Sequence, residues 1–178
     1  RLVPALADAG MDFVELGVAF SDPLADGVVN QLSAQRALAA GSTLVGVLDA
    51  VRRIRKTSEV PVILYTYLNP LYVHGFEKFH EEAAEAGVDG ILVLDLPPEE
   101  IDANQELMQR HGLKSIRLIA PTTPTARIER IAKSAEGFIY YVSREGVTGE
   151  RSAVADSIEA QVSKIRRYTD LPIAVGFG

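Results

Sequence analysis

The run Phe13-Val14-Glu15-Leu16-Gly17-Val18-Ala19-Phe20 holds one carboxylate inside an apolar segment, and Ser21-Asp22-Pro23-Leu24-Ala25-Asp26-Gly27 then adds two more acids in a loop. Burying an ionised carboxylate without partners is costly and raises its pKa, so a Glu in an apolar strand points to proton transfer. Strand alternation puts Phe13, Glu15 and Gly17 on one face and Val14 and Leu16 on the other. If the first face lines a site, desolvation suits Glu15 both to give and to take a proton. The alternative is a structural Glu bonded to backbone N–H groups at a strand end. Asp26 lies 26 − 15 = 11 residues further on, in a loop long enough to bring its carboxylate back over that site. Asp22 competes for the same place, and Ser-Asp-Pro and Ala-Asp-Gly also read as turns.

Other residues add to a site without defining it. Gly146-Val147-Thr148-Gly149 and Gly176-Phe177-Gly178 can let backbone N–H groups approach a phosphate, or can be simple turn formers. Tyr65, Tyr67, Tyr140, Tyr141 and Phe177 can line a flat apolar ring site, although alternation lets only some of them face a ligand. Asp95 ends the most apolar run, as a ligand-facing acid or a cap for the next helix. An imine-forming lysine belongs at the C-terminal end of a strand, yet Lys56, Lys78, Lys133 and Lys164 read as helical and Lys114 precedes its strand. His74, His80 and His111 lack metal-ligand spacing, and without cysteine there is neither a thiolate nucleophile nor a Cys-based metal site. Carboxylate acid-base chemistry is what remains.

The elements that must position these groups follow from periodicity. Helices are expected over residues 2–9, 30–40, 43–56 (Ser42 as N-cap), 76–86, from about 99 to 111, after Thr123-Pro124, and through Ile158, Val162 and Ile165. Strands are expected over 12–16, 60–67, 88–94, 115–120, 138–143 and 171–175. Six strands alternating with helices, most of them apolar on both faces, predict a parallel sheet covered by helices. No GxGxxG opens a helix, and polar residues or glycines stand just past nearly every strand, as in a (β/α)8 TIM barrel with its site at the C-terminal face. A whole barrel takes about 250 residues. The expectation is therefore one partial TIM-barrel domain over residues 1–178, an incomplete barrel of about six βα units, strands 2 to 7 of the full barrel.

Composition narrows the class. The chain has 178 residues, 47% hydrophobic and 24% charged, with net charge −6, which fits a soluble globular domain and lacks the basic footprint of a nucleic-acid binder. No apolar run reaches membrane-span length and Arg1-Leu2-Val3-Pro4 does not begin a signal peptide, so a cytoplasmic location is expected.

The motifs in order, Glu15-Leu16-Gly17 with Phe20 to Gly27, Asp95-Leu96-Pro97-Pro98, Ala120-Pro121-Thr122-Thr123, Ser143-Arg144 with Gly146 to Gly149, and Val175 to Gly178, closely resemble the signature of the tryptophan synthase alpha subunit. The resemblance implies a lyase that splits indole-3-glycerol phosphate into indole and glyceraldehyde 3-phosphate, with no cofactor on this subunit. By it, Glu15 is the general acid-base and Asp26 bonds the indole N–H and stabilises the indole cation. It also implies substrate binding by Tyr140 and Phe177 near the indole, Gly149 and Gly178 at the phosphate, and Thr148 on a mobile loop that helps place the catalytic Asp. The implied partner is a beta subunit carrying PLP, in an alpha2-beta2 complex that docks near the Asp26 loop. Ala19 stands where the family usually has Pro, and Val28-Val29-Asn30 where it has Pro and a polar residue. Two other readings share the fold: a non-catalytic partner that regulates a beta subunit, and another phosphate-binding TIM-barrel isomerase.

Overall fold

Short apolar runs interspersed with amphipathic ones produce an α/β chain in the computed structural model, which describes residues 2–143 and 151–177. In order these are α1 (Leu2–Asp8), β1 (Val14–Gly17), α2 (Val28–Ala39), α3 (Leu44–Arg55), β2 (Val62–Thr66), α4 (Leu68–His74), α5 (Phe76–Ala86), β3 (Gly90–Val93), α6 (Asp102–Arg110), β4 (Lys114–Ser115), β5 (Arg117–Ile119), α7 (Thr125–Ser134), β6 (Ile139–Ser143), α8 (Arg151–Arg166) and β7 (Ile173–Phe177). They fall into two compact units, Arg1–Lys114 and Ser115–Gly178.

In the first unit the sheet order is β1-β2-β3-β4, and the β1/β2 and β2/β3 pairs are parallel. Val14, Leu16, Val62, Leu64, Ile91 and Val93 pack with Leu48 and Val51 of α3 and Phe79 and Ala83 of α5. Each large side chain buried there contributes about 1.5–3 kcal/mol relative to exposure. Alternation therefore turns Glu15, Ile63, Tyr65 and Leu92 to the opposite face. Thr43, not Ser42, caps α3: its Oγ1 accepts from the Gly46 N–H at 3.0 Å. At the far end of α3, Arg55 donates from Nε to the Gly87 carbonyl at 2.8 Å and from Nη1 to the Val60 carbonyl at 2.6 Å, and it pairs with Asp89. Asp89 Oδ2 also accepts from the Val62 N–H at 2.7 Å, so one ion pair ties α3 to the start of β2 and to the turn before β3.

The second unit carries β5-β6-β7, again parallel, with Ile119, Ile139 and Tyr141 packed against Ile128 and Ile131 of α7 and Ile165 of α8. Tyr140 and Val142 lie on the other face of β6. Arg117 is 7% exposed, its Nε and Nη2 have no hydrogen-bond partner among the described residues, and burial pushes its pKa down to about 10 against the opposing charge of Glu136.

Expected boundaries also moved around the fourth and fifth strands and the helix that follows them. Residues 115–120 form no single strand: the run is divided at Ile116 into β4 and β5. Thr123 sits one residue before the N-cap position, where its Oγ1 accepts from the Ala120 N–H at 3.0 Å and closes the turn ahead of α7.

Candidate functional site

The face of the first sheet that turns away from its helices carries a carboxyl group with one oxygen that has no hydrogen-bond partner among the described residues. Glu15 is half-buried, its Oε1 is buried with no hydrogen-bond partner among the described residues, and burial raises its pKa above the ordinary glutamate value. Its register neighbour on β2 is Ile63, an apolar side chain that supplies no compensating dipole. A carboxyl group so placed keeps its proton further toward neutral pH than one in water, the property a general acid requires.

Asp26 comes to the same end of the sheet from the loop after β1. Its Oδ1 accepts from the Tyr65 hydroxyl and its Oδ2 from the Tyr67 hydroxyl, both at 2.9 Å. Tyr65 is the register partner of Gly17, two residues along β1 from Glu15 and on the Glu15 face, so the bond draws Asp26 over the strand ends that carry Glu15. Tyr67 Oη also accepts from the Ala25 N–H at 3.0 Å, and its ring packs on Phe20 with centroids 5.4 Å apart. Burial, with the Asp26 hydrogen bond adding to it, pushes the Tyr67 hydroxyl up to about 12. On the solvent side, Asn30 Nδ2 reaches Asp26 Oδ1 at 3.5 Å, and Gln31 Nε2 donates to the Asp26 carbonyl at 2.9 Å. Asp22 is exposed and contributes its backbone carbonyl to the turn, accepting from the Leu24 N–H at 2.9 Å. Of the two loop acids, Asp26 is the one held at the strand ends.

The remaining candidates divide. Tyr140 lies on the β6 face opposite the core of its unit, while Tyr141 is 3% exposed inside that core. Gly176 is a strand residue, not a loop residue, and a Cβ there would come within 2.4 Å of Tyr140 Oη; the glycine admits the tyrosine ring. Phe177 closes β7 opposite Ser143. Thr148, Gly149 and Gly178 lie outside the described residues. Asp95 caps α4, the helix before it in the chain: its Oδ1 accepts from the Leu68 N–H at 2.7 Å. His74 bonds Glu82 at 2.7 Å and His80 is fully buried against Asn104, so both are engaged away from the sheet ends. Among the described residues no group of three or more His, Asp or Glu is arranged to hold a metal ion, and no helix is long and apolar enough to cross a membrane.

Sequence reasoning identified Tyr65 and Tyr67 only as ring-site liners and missed their hydroxyls as donors to Asp26. The available signal was their spacing, since side chains two apart in extended backbone share a face and can close on one carboxylate, and Tyr67 continues that backbone one residue past β2.

The whole chain, residues 1–178, matches the family described as tryptophan synthase alpha chain. It is 55% identical to the tryptophan synthase alpha chain of Opitutus terrae over 98% of its own length and 65% of that protein. With that of Geobacter sulfurreducens it shares 52% identity over 99% of its length and 67% of that protein. Among solved structures, tryptophan synthase subunit alpha from Legionella pneumophila superimposes with a TM-score of 0.88 at 42% identity, covering 99% of this chain and 65% of that one. A chain of the tryptophan synthase a2b2 complex from Pyrococcus furiosus gives 0.91 at 39% identity, covering 99% and 72%. The chain thus spans about two thirds of the length of the curated relatives it matches.

Proposed function

Since the chain belongs to the tryptophan synthase alpha chain family and has its (β/α)8-barrel fold in part, we propose that the protein splits indole-3-glycerol phosphate into indole and glyceraldehyde 3-phosphate. The observation that carries this reading is a pair of unlike carboxyl groups on one end of one sheet: Glu15 desolvated and unpartnered, Asp26 held by two phenols.

The bond to be broken joins indole C3 to the carbinol carbon of the glycerol chain. Protonation at C3 leaves a positive charge shared with the ring nitrogen. Loss of the carbinol proton lets that oxygen form the aldehyde while the C–C bonding pair returns to the ring and restores indole. One proton enters and one leaves, so the reaction balances without a redox group, and we assign it no cofactor. Glu15 fits the proton carrier, because burial favours its neutral form before transfer and its Oε1 is committed to no hydrogen-bond partner among the described residues. Asp26 fits the acceptor of the indole N–H: it stabilises the ring cation, a charge that exists only as the reaction proceeds. Tyr140, Thr148, Gly149, Phe177 and Gly178 are assigned to substrate binding by their match to the family's motifs.

The a2b2 complex of the Pyrococcus furiosus neighbour supports a further assignment, a beta subunit as partner, to which the family resemblance assigns PLP. The exposed Leu24, Val28 and Val29 beside Asp26 suit such a contact.

Indole release by the full-length protein tests the chemistry. Glu15→Gln is expected to lower kcat by about 10²–10⁴-fold, the usual contribution of a positioned acid-base group, and Asp26→Asn by at least about 10²-fold. Rates within a few-fold of wild type for either variant would overturn the assignment. Binding of simple sugar phosphates without preference for indole compounds would favour an isomerase of the same fold.

A further inference from the structure

Asp26 is held at both of its oxygens, and the two donors are not equivalent. Tyr67 is 4% exposed, its ring rests on Phe20, and its hydroxyl accepts from the Ala25 N–H while donating to Asp26 Oδ2. It therefore grips the loop at two consecutive residues and fixes where the loop lies. Tyr65 is only half-buried, stands on the Glu15 face of β2, and donates to the other oxygen, Oδ1. With Tyr67 fixing one oxygen, the Tyr65 bond decides the rotation of the carboxylate about its Cβ–Cγ bond. Each carboxylate oxygen accepts about two hydrogen bonds, so with one phenol on each and Asn30 reaching Oδ1, Oδ2 still has a lone pair for a substrate N–H.

We infer that Tyr65 is a positioning residue for the cleavage reaction: its hydroxyl sets the plane of the Asp26 carboxylate, and so the direction in which Asp26 accepts the indole N–H. This rests on the reading of Asp26 given under the proposed function. The sequence supplies the device by placing a second tyrosine two residues before Tyr67, which continues the extended backbone one residue past β2. Without the Tyr65 hydroxyl, Asp26 keeps its loop position and the Tyr67 bond at Oδ2, but Oδ1 is left to the long 3.5 Å approach of Asn30 Nδ2, so the carboxylate plane is set less firmly and its best acceptor direction is only sometimes aimed at the ring nitrogen. Because the ring becomes a cation during the reaction, the penalty falls on the transition state more than on bound substrate.

Tyr65→Phe in the full-length protein keeps the ring and removes only the oxygen. Its kcat is expected to fall by about 10-fold or more, the scale of a lost hydrogen bond to a charged group, with KM and the affinity for a non-cleavable indole-alkyl phosphate changed by no more than about two-fold. A merely structural role is separated by a double-variant cycle. If Tyr65 acts through Asp26, adding Tyr65→Phe to Asp26→Asn costs no further activity, whereas independent roles multiply. A kcat within about two-fold of wild type, or a full Tyr65 penalty persisting in the Asp26→Asn background, overturns the inference while leaving the functional reading intact. An Asp26→Asn variant as active as wild type overturns that reading, and this inference with it. Should Tyr65→Phe lower the melting temperature, Tyr67→Phe is the reference. Removing the loop anchor is expected to raise KM as well as lower kcat, and the same kcat-only pattern in both variants would count against a distinct orienting role for Tyr65.

Discussion

At the scale of single residues, the same burial that suits Glu15 to proton transfer costs the folded state stability. Its pKa is raised above 4.5 by desolvation, so the folded chain holds this proton at pH values where the unfolded chain has released it. The stability contributed by the group is then fully present below the unfolded value and is lost as pH rises through the folded one. Glu15→Gln keeps the shape and cannot ionise. It is therefore expected to be more stable than wild type at about pH 7, with the difference shrinking toward about pH 4, while its activity is lost. Urea unfolding of both proteins at the two pH values reads this directly; a difference independent of pH would mean that burial is not what holds the proton. The acid itself was legible as an oddity in an apolar run. The choice between Asp22 and Asp26 was not, because both sit in turn sequences, and only the hydroxyls of Tyr65 and Tyr67, 39 and 41 residues away, separate them.

At the scale of elements, local chemistry decided what could be read in advance. Helix α5 runs from Phe76 to Ala86 as its pattern requires, because Gly87 at φ 90° takes the left-handed position that ends it. That glycine has a second reason: a Cβ there would meet Arg55 Cγ at 2.8 Å, on the side chain that donates to the Gly87 carbonyl. Gly87→Ala is expected to cost about 1–2 kcal/mol for the backbone conformation, and more if Arg55 is displaced from Asp89. Gly112→Ala, at φ 72° with nothing near its Cβ, isolates the backbone cost alone. Equal losses in the two variants, measured by denaturant unfolding, would show that the Arg55 contact adds nothing. Helix α4 was invisible because its sequence, Leu-Asn-Pro-Leu-Tyr-Val-His, carries a proline and no capping residue of its own. Pro70 falls in the first turn, where its missing N–H is not needed, and the cap comes from Asp95, 27 residues later. The split of β4 from β5 at Ile116 was equally hidden, since strand propensity does not reveal where pairing changes partners.

At the scale of the molecule, the question is what the exposed apolar surface next to Asp26 is for. Helix α2 buries none of its residues, and Leu24, Val28, Val29 and Leu32 stand 84%, 70%, 78% and 48% exposed, an apolar cluster of the kind that marks a contact surface. It is also mechanically tied to the site, because Gln31 donates to the Asp26 carbonyl and Asn30 reaches its carboxylate, so whatever covers α2 also restrains Asp26. A beta subunit seated there would gain about 2 kcal/mol from covering one valine of this kind. Val29→Asp in the full-length protein is then expected to weaken binding to the beta subunit by roughly 30-fold or more, because the same 2 kcal/mol is lost and a charge is buried. The indole release proposed for the protein alone should stay within a few-fold of wild type, since Val29 makes none of the side-chain contacts that hold Asp26. Calorimetric titration against the beta subunit gives the first quantity and steady-state assay of the protein alone the second. An unchanged affinity would place the partner elsewhere, whereas a large drop in the unpartnered rate would mean that α2 positions Asp26 through its own packing and not through the surface it offers.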